Sequence, residues 1–159
     1  MTDGTHETFM KLALAQAEEA RALGEIPVGA VIVKDGAVIA AAGNRRETQK
    51  DPTAHAEMLA LRMAARKLQD WRMTGCTMYV TLEPCPMCAG ALAMARMSGI
   101  VFGAWDERMG CCGSRYLLPG DGMMGARPPE IVSGVLAQAC REILTRPLRA
   151  KREEKEHGT

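Results

Sequence analysis

Two short stretches hold the residue types that can do chemistry: Thr53-Ala54-His55-Ala56-Glu57 and Glu83-Pro84-Cys85-Pro86-Met87-Cys88. Together they spell H-x-E followed by P-C-x-x-C. One imidazole, from His55, and two thiolates, from Cys85 and Cys88, make a donor set suited to zinc, and three protein ligands leave a fourth position open for water. Zinc with such a set around it carries no net charge, so deprotonating that water calls for a nearby base. Glu57 is the candidate, as a proton carrier and not as a ligand. One zinc ion per chain is expected.

The spacing restricts how these groups can meet. His55 and Glu57 are two residues apart, about 200° around a helix axis at 3.6 residues per turn. They cannot share a lateral helix face. If both serve one site, it lies off a helix N-terminus, where the first turn converges and free N–H groups point outward. Cys85 and Cys88, at i and i+3, are neighbours and also stand at a helix start. Two helix N-termini then aim partial positive charge at the metal, which favours thiolates and a deprotonated water.

The elements that must position these groups are legible in part. Phe9, Leu12, Ala13, Ala17 and Ala20 recur at helical steps from about Thr5 to Ala22, before Gly24. Val28 to Val33 and Ala37 to Ala42 are Val- and Ile-rich runs joined by Lys34-Asp35-Gly36, a hairpin signal that predicts adjacent antiparallel strands. Asp51-Pro52-Thr53 offers two ways to start a helix whose inner face would hold Met58, Leu61, Ala65 and Leu68. Thr77 to Thr81 reads as a buried strand, Cys85 to Met97 as an Ala-, Gly- and Met-rich buried helix stopped by Ser98-Gly99, and Ile100 to Gly103 as a further strand. Strand, helix, strand implies a right-handed crossover and a parallel pair, so the sheet is mixed. Residues 104 to 129, rich in Gly and Pro, read as one long loop. Glu130 to Ser133 is a short strand, and Leu136, Ala139, Cys140, Ile143 and Leu144 mark a last helix interrupted by Pro147.

Composition narrows the class. The 159 residues fit one domain over 1–159, with a charged tail from about 149. Charged residues make up 25% and hydrophobic ones 47%, no apolar run approaches a membrane span, and the N-terminus shows neither a basic cluster nor an apolar core of a secretory signal. A cytoplasmic protein with no membrane partner is expected. Cys76, Cys111, Cys112 and Cys140 show no disulfide framework and read as free thiols. The formal charge of +1 is not that of a generic nucleic-acid binder, so any RNA contact is local.

The pairing of H-x-E with P-C-x-x-C marks the zinc nucleobase deaminases. The flanks Pro27-Val28-Gly29-Ala30-Val31, Asn44, Asp51-Pro52-Thr53, Tyr79-Val80-Thr81-Leu82-Glu83, Met87-Cys88-Ala89-Gly90-Ala91 and Phe102-Gly103-Ala104 make the chain, from about residue 7 to about residue 114, resemble the bacterial tRNA adenosine deaminases of the TadA type. The resemblance implies an α/β, three-layer cytidine-deaminase-like fold, a central mixed β-sheet flanked by helices, and a homodimer. It also implies the reaction: water attacks C6 of an adenosine at the tRNA wobble position in the anticodon loop, Glu57 carries its proton to N1 and then to the departing amine, and inosine remains. On the same ground Asn44 meets the base edge, the backbone at Ala56 and at Pro84-Cys85 meets the polar atoms around C6, Val28 forms pocket wall, and Asp106 lies beside the bound nucleotides.

Several rivals stand beside these roles. A C-x-x-C alone is also a redox pair or half a zinc ribbon, Asn44 a turn residue, Asp106 a solvated loop acid. Cys111-Cys112 has no His nearby and is assigned no site. Arg141, Arg146, Arg149, Lys151 and Arg152 form a stripe that either meets phosphate or simply faces solvent. Past Ser114 the chain departs from the family pattern, with Gly125-Ala126-Arg127 in place of Asn-His-Arg and Pro147-Leu148 in place of adjacent aromatics. A deaminase of a free guanine- or cytosine-type base would keep the motifs and change these loops. A non-catalytic zinc-stabilised RNA-binding module would need a fourth protein ligand and leaves Glu57 without a purpose.

Overall fold

The Asp-Gly signal produces a two-residue hairpin in which Asp35 and Gly36 take φ of 50° and 76°. Such left-handed values match the twist of the flanking strands, and Gly adopts them without cost. The turn joins β1 (Gly29–Lys34) to β2 (Ala37–Gly43), antiparallel, with a register shift between Ile32 and Val33. The computed structural model describes residues 3–124 and 127–146. Strand β3 (Cys76–Leu82) runs antiparallel to β1 on its other side, β4 (Gly99–Ala104) parallel to β3, and β5 (Glu130–Val132) parallel to β4. The order β2-β1-β3-β4-β5 is the expected mixed sheet.

Alternation along the strands sends side chains to two separate cores. Ala30 and Ile32 of β1, Met78 and Val80 of β3 and Ile100 and Phe102 of β4 pack with Ala56, Ala60 and Ala64 of α3 (Ala56–Leu68) and Ala89 and Leu92 of α4 (Pro86–Met94). Val31, Val33, Tyr79 and Val101 face the opposite way, against Met10 and Ala13 of α1 (Asp3–Ala22) and Cys140 of the last helix, through 137–146. The result is three layers, helix, sheet and helix. A four-residue α2 (Arg46–Gln49) precedes α3 and lies outside the sequence expectation.

Side-chain placement corrects four details. The buried stripe of α1 is Met10, Ala13, Ala17 and Ala20, while Leu12 is 44% exposed. Small residues win because α1 lies so close to β1 that a Cβ on Gly29 would overlap the Ala13 carbonyl oxygen. The buried face of α3 is likewise Ala56, Glu57, Ala60 and Ala64, and Leu61, Ala65 and Leu68 pack only at its edge. That helix begins at Ala56 and not at Asp51-Pro52-Thr53, which is spent on a turn: Asp51 Oδ1 accepts from the Thr53 N–H (2.8 Å) and hydroxyl (2.7 Å). In α4 the burial is one-sided, Met94 being 65% exposed.

The stretch after β4 is also more ordered than the long-loop reading. It carries a bridge between Cys112 and Leu117 and 3₁₀ turns at Leu118–Gly120 and Gly122–Met124. Pro147-Leu148, Arg149, Lys151, Arg152 and Gly125-Ala126 lie outside the described residues. No helix among the described residues is long and apolar enough to cross a membrane.

Candidate active site

His55 and Cys85 occupy equivalent places, each the N-cap of a helix: His55 of α3 at φ −72°, ψ 152°, and Cys85 of α4 at φ −72°, ψ 174°. An N-cap residue usually turns its side chain back to the first-turn N–H groups. Neither does so here. The extended backbone instead throws both side chains forward, and Cys88, on the first turn of α4, joins them. His55 Nδ1 lies 3.7 Å from Cys85 Sγ and 3.6 Å from Cys88 Sγ, and the ligand atoms all fall within 4.8 Å of one another. With Zn–S near 2.3 Å and Zn–N near 2.0–2.1 Å, tetrahedral geometry puts such N and S atoms about 3.6 Å apart. The donor set therefore fits one zinc ion per chain.

Electrostatics at the trio favour the same occupant. A hydrogen bond from Cys88, aided by one to His55, holds the Cys85 thiol down at about 4, and that same bond pushes the Cys88 thiol up. The His55 imidazole is raised, chiefly by its bond to Cys85. The sulfurs thus share a proton that a divalent cation would displace. Glu57, in the first turn of α3, is 4% exposed. Burial is the main cause that pushes its carboxyl up to about 6. A group so poised changes hands with a proton near neutrality.

His55, Cys85 and Glu57 line a cavity of about 350 Å³. Ile26, Val28, Asn44 and Arg46 line it from the β1 and β2 side, His55, Ala56 and Glu57 from α3, Leu82, Glu83 and Cys85 from the end of β3, and Asp106, Arg108 and Met109 from the loop after β4. Asn44 lines the cavity and serves as a turn residue as well: its Nδ2 donates to the Ile26 carbonyl (3.3 Å) and its Oδ1 accepts from the Arg46 N–H (3.1 Å). Asp106 similarly uses Oδ1 to hold the Arg108 (3.0 Å) and Met109 (3.1 Å) N–H groups. Two expected site residues are not on the wall: Cys88, which is buried behind it in the metal trio, and Pro84, which is buried and whose carbonyl accepts from the Cys111 N–H (2.9 Å).

Sequence reasoning missed two buried carboxylates. Glu25, 2% exposed, accepts the Glu47 N–H (2.8 Å) and caps α2 beneath Asn44 and Arg46. Glu83, also 2% exposed, gathers the loop after β4. Only Glu83 left a trace, as a charged residue directly after the apolar run of β3. Cys111 and Cys112 are buried apart from the metal trio, and burial pushes the Cys112 thiol up to about 12. Among the described residues no fourth His, Cys, Asp or Glu joins the trio.

Residues 3–104 match the family model of the cytidine and deoxycytidylate deaminase zinc-binding region. A tRNA-specific adenosine deaminase of Bacillus subtilis (strain 168) is 45% identical over 94% of this chain and 92% of its own length. Its counterpart in Haemophilus influenzae is 48% identical over 94% of this chain and 86% of its own length. A solved structure from work on A-to-I editing by tRNA:A34 deaminases superposes with a TM-score of 0.82 at 41% identity, covering 86% of this chain and 98% of that one. A guanine deaminase structure from Bacillus subtilis is 47% identical over 63% of this chain, with a TM-score of 0.60.

Proposed function

The chain belongs to the cytidine and deoxycytidylate deaminase family, among the tRNA-specific adenosine deaminases, and on that premise we propose that it hydrolyses the wobble adenosine of a tRNA anticodon loop to inosine and ammonia. The observation that carries the reading is the buried Glu57 carboxyl standing beside the His55, Cys85 and Cys88 trio on the wall of a cavity of nucleoside size. Zinc held by the trio supplies Lewis acidity that makes water nucleophilic near neutral pH. Glu57 takes the proton of that water and delivers it to N1 of the adenine as the C6–O bond forms. It then takes the proton of the new C6 hydroxyl and hands it to the exocyclic nitrogen, the C6–N bond breaks as the C6 carbonyl forms, and ammonia leaves. Asn44 and the amide of Ala56 would hold the base edge and Val28 would pack on its face, roles supported by their presence on the cavity wall. Asp106, Arg46 and Arg108, which share the cavity wall, would meet the ribose and the flanking phosphates.

A homodimer is the proposed assembly. Trp71 (55% exposed) and Met94 (65%) border a shallow, mostly apolar groove with Leu61, Ala65 and Met124, edged by Arg62 and Arg96, which a second copy of the chain would cover. The cytoplasm, where tRNA is processed, is the proposed compartment.

Ammonia release measured on an anticodon stem-loop, free adenosine, guanine and cytosine tests the reading. The stem-loop should be turned over far faster than any free compound. Equal or better turnover of guanine would replace it with the second reading, a free-base deaminase, which the guanine deaminase likeness favours over a narrower stretch.

A further inference from the structure

Glu83 lies two residues before a metal ligand, yet its side chain turns away from the trio to the loop that follows β4. Oε1 accepts the Asp106 N–H (3.0 Å) and the Ser114 hydroxyl; Oε2 accepts the Cys112 (3.1 Å) and Ser114 (2.9 Å) N–H groups. Gly110 closes over the carboxyl group so tightly that a Cβ there would overlap its carbon and the Asp106 carbonyl oxygen. Among the described residues no Lys or Arg ion pair reaches Glu83, so loop donors alone satisfy it. A buried carboxyl group so used is costly to disturb, because each freed donor would also be left without water.

The loop it gathers is the one that carries Asp106, Arg108 and Met109 into the cavity wall. Asp106 is tied at its N–H to Glu83 and at its Oδ1 to the Arg108 and Met109 amides. The wall is therefore a chain of backbone bonds that begins at Glu83. We propose that Glu83 is the positioning residue of the substrate cavity: its carboxylate fixes the loop from Asp106 to Ser114 against the end of β3 and so holds the Asp106 to Met109 wall where a nucleotide is bound. This rests on the reading of the cavity as a nucleotide site. Glu83 itself moves no proton. Its wall binds substrate and transition state alike, so its loss falls on KM and spares kcat.

An amide cannot replace this carboxylate. In Glu83→Gln one half still accepts, but the NH₂ half faces N–H donors, and the loop loses anchors on that side. Three measurements on the zinc-loaded protein, its Glu83→Gln and its Gly110→Ala variants test the inference: zinc content, amide hydrogen exchange, and kcat and KM for an anticodon stem-loop. Gly110→Ala breaks the same contact from the loop side with Glu83 intact, and it decides the matter if Glu83→Gln does not fold.

Both variants should keep zinc and exchange the Asp106, Cys112 and Ser114 amides about tenfold faster or more. They should raise KM by about tenfold or more, the weight of a hydrogen bond to a charged group. In both, kcat should stay within about threefold of the wild type. Unchanged exchange, loss of zinc, or a fall in kcat at constant KM would overturn it. If the wild type itself released no ammonia from RNA, the functional reading would fail, while the exchange data would still decide whether Glu83 anchors the loop.

Discussion

A charged carboxyl group buried beside a metal site is held there against its own desolvation. Glu57 is raised to about 6 from an ordinary 4.5, with burial the main cause. An acid whose folded pKa is raised leaves its folded state fully stable below the unfolded pKa and weakens it as pH climbs through the folded value. Hence Glu57→Gln, after chelation of zinc, should unfold at higher denaturant than equally treated wild type at pH 7 to 8. The advantage, of the order of 2 kcal/mol, should fade between about pH 6 and 4.5. A wild type more stable than the variant at pH 8 would reverse the sign and remove the burial argument. The loaded Glu57→Gln enzyme should keep its zinc and lose at least about 10²-fold in kcat, the lower range for a placed proton carrier. Near-normal turnover in an inosine assay would exclude Glu57 from the chemistry. At this scale the sequence was most legible, because His55 and Glu57 lie in one turn and Cys85 and Cys88 in another, and the chain itself sets their approach. The roles of Glu83 and Glu25 were hidden for the converse reason: the donors that occupy them come from residues 106–114 and 47–48, and nothing local announces those partners, although Glu83 stands out as a charge after an apolar run.

Elements were legible where a turn or a period-two run sets them, and less so where two elements come into close contact. The Asp35-Gly36 hairpin and the parallel β3 and β4 pair follow from local rules. The buried stripe of α1 does not, since Leu12 fits the helical period as well as Met10. What selects Ala13 and Ala17 is the absence of a side chain on Gly29, an element away. A Cβ there would overlap the Ala13 carbonyl and sit 2.5 Å from the Ala17 nitrogen, both backbone atoms that yield only if the whole helix moves. Gly29→Ala should therefore destabilise the zinc-loaded protein by about 3 kcal/mol, the upper range for overpacking. Gly4→Ala, in the same helix with nothing within 4 Å of the added Cβ, should be neutral or slightly stabilising. Thermal melts of the two proteins side by side check this; equal midpoints would mean α1 has room to shift. The α3 start was misplaced for a related reason, as Asp51 satisfies its own Thr53 and leaves the N-cap position to a metal ligand.

For the whole molecule the question is how a chain of formal charge +1 binds a polyanion. A protein that neutralises many phosphates needs a basic face, and its affinity falls steeply with salt, by about 0.7 in log K per log salt for each single-strand phosphate contact. Here the cations at the cavity are Arg46 and Arg108. Arg146, from the expected C-terminal stripe, is engaged with Glu18 at 3.1 Å, and Arg141 is exposed on the same helix. Few contacts imply a shallow salt dependence and a substrate recognised chiefly by the shape of one extruded nucleotide, whose neighbours add binding energy that positions the reacting base. Turnover at limiting anticodon stem-loop should thus fall between roughly 50 and 200 mM salt with a log–log slope of about −1 to −3, far from the −10 of a large DNA-binding interface. Arg46→Ala and Arg108→Ala should each raise KM for the stem-loop and flatten that slope by about 0.7, leaving zinc content unchanged. A slope unaltered by both substitutions would move the phosphate contacts away from the cavity rim. A flat profile in the wild type, with free bases accepted as readily as the stem-loop, would instead return the cavity to a small-molecule deaminase.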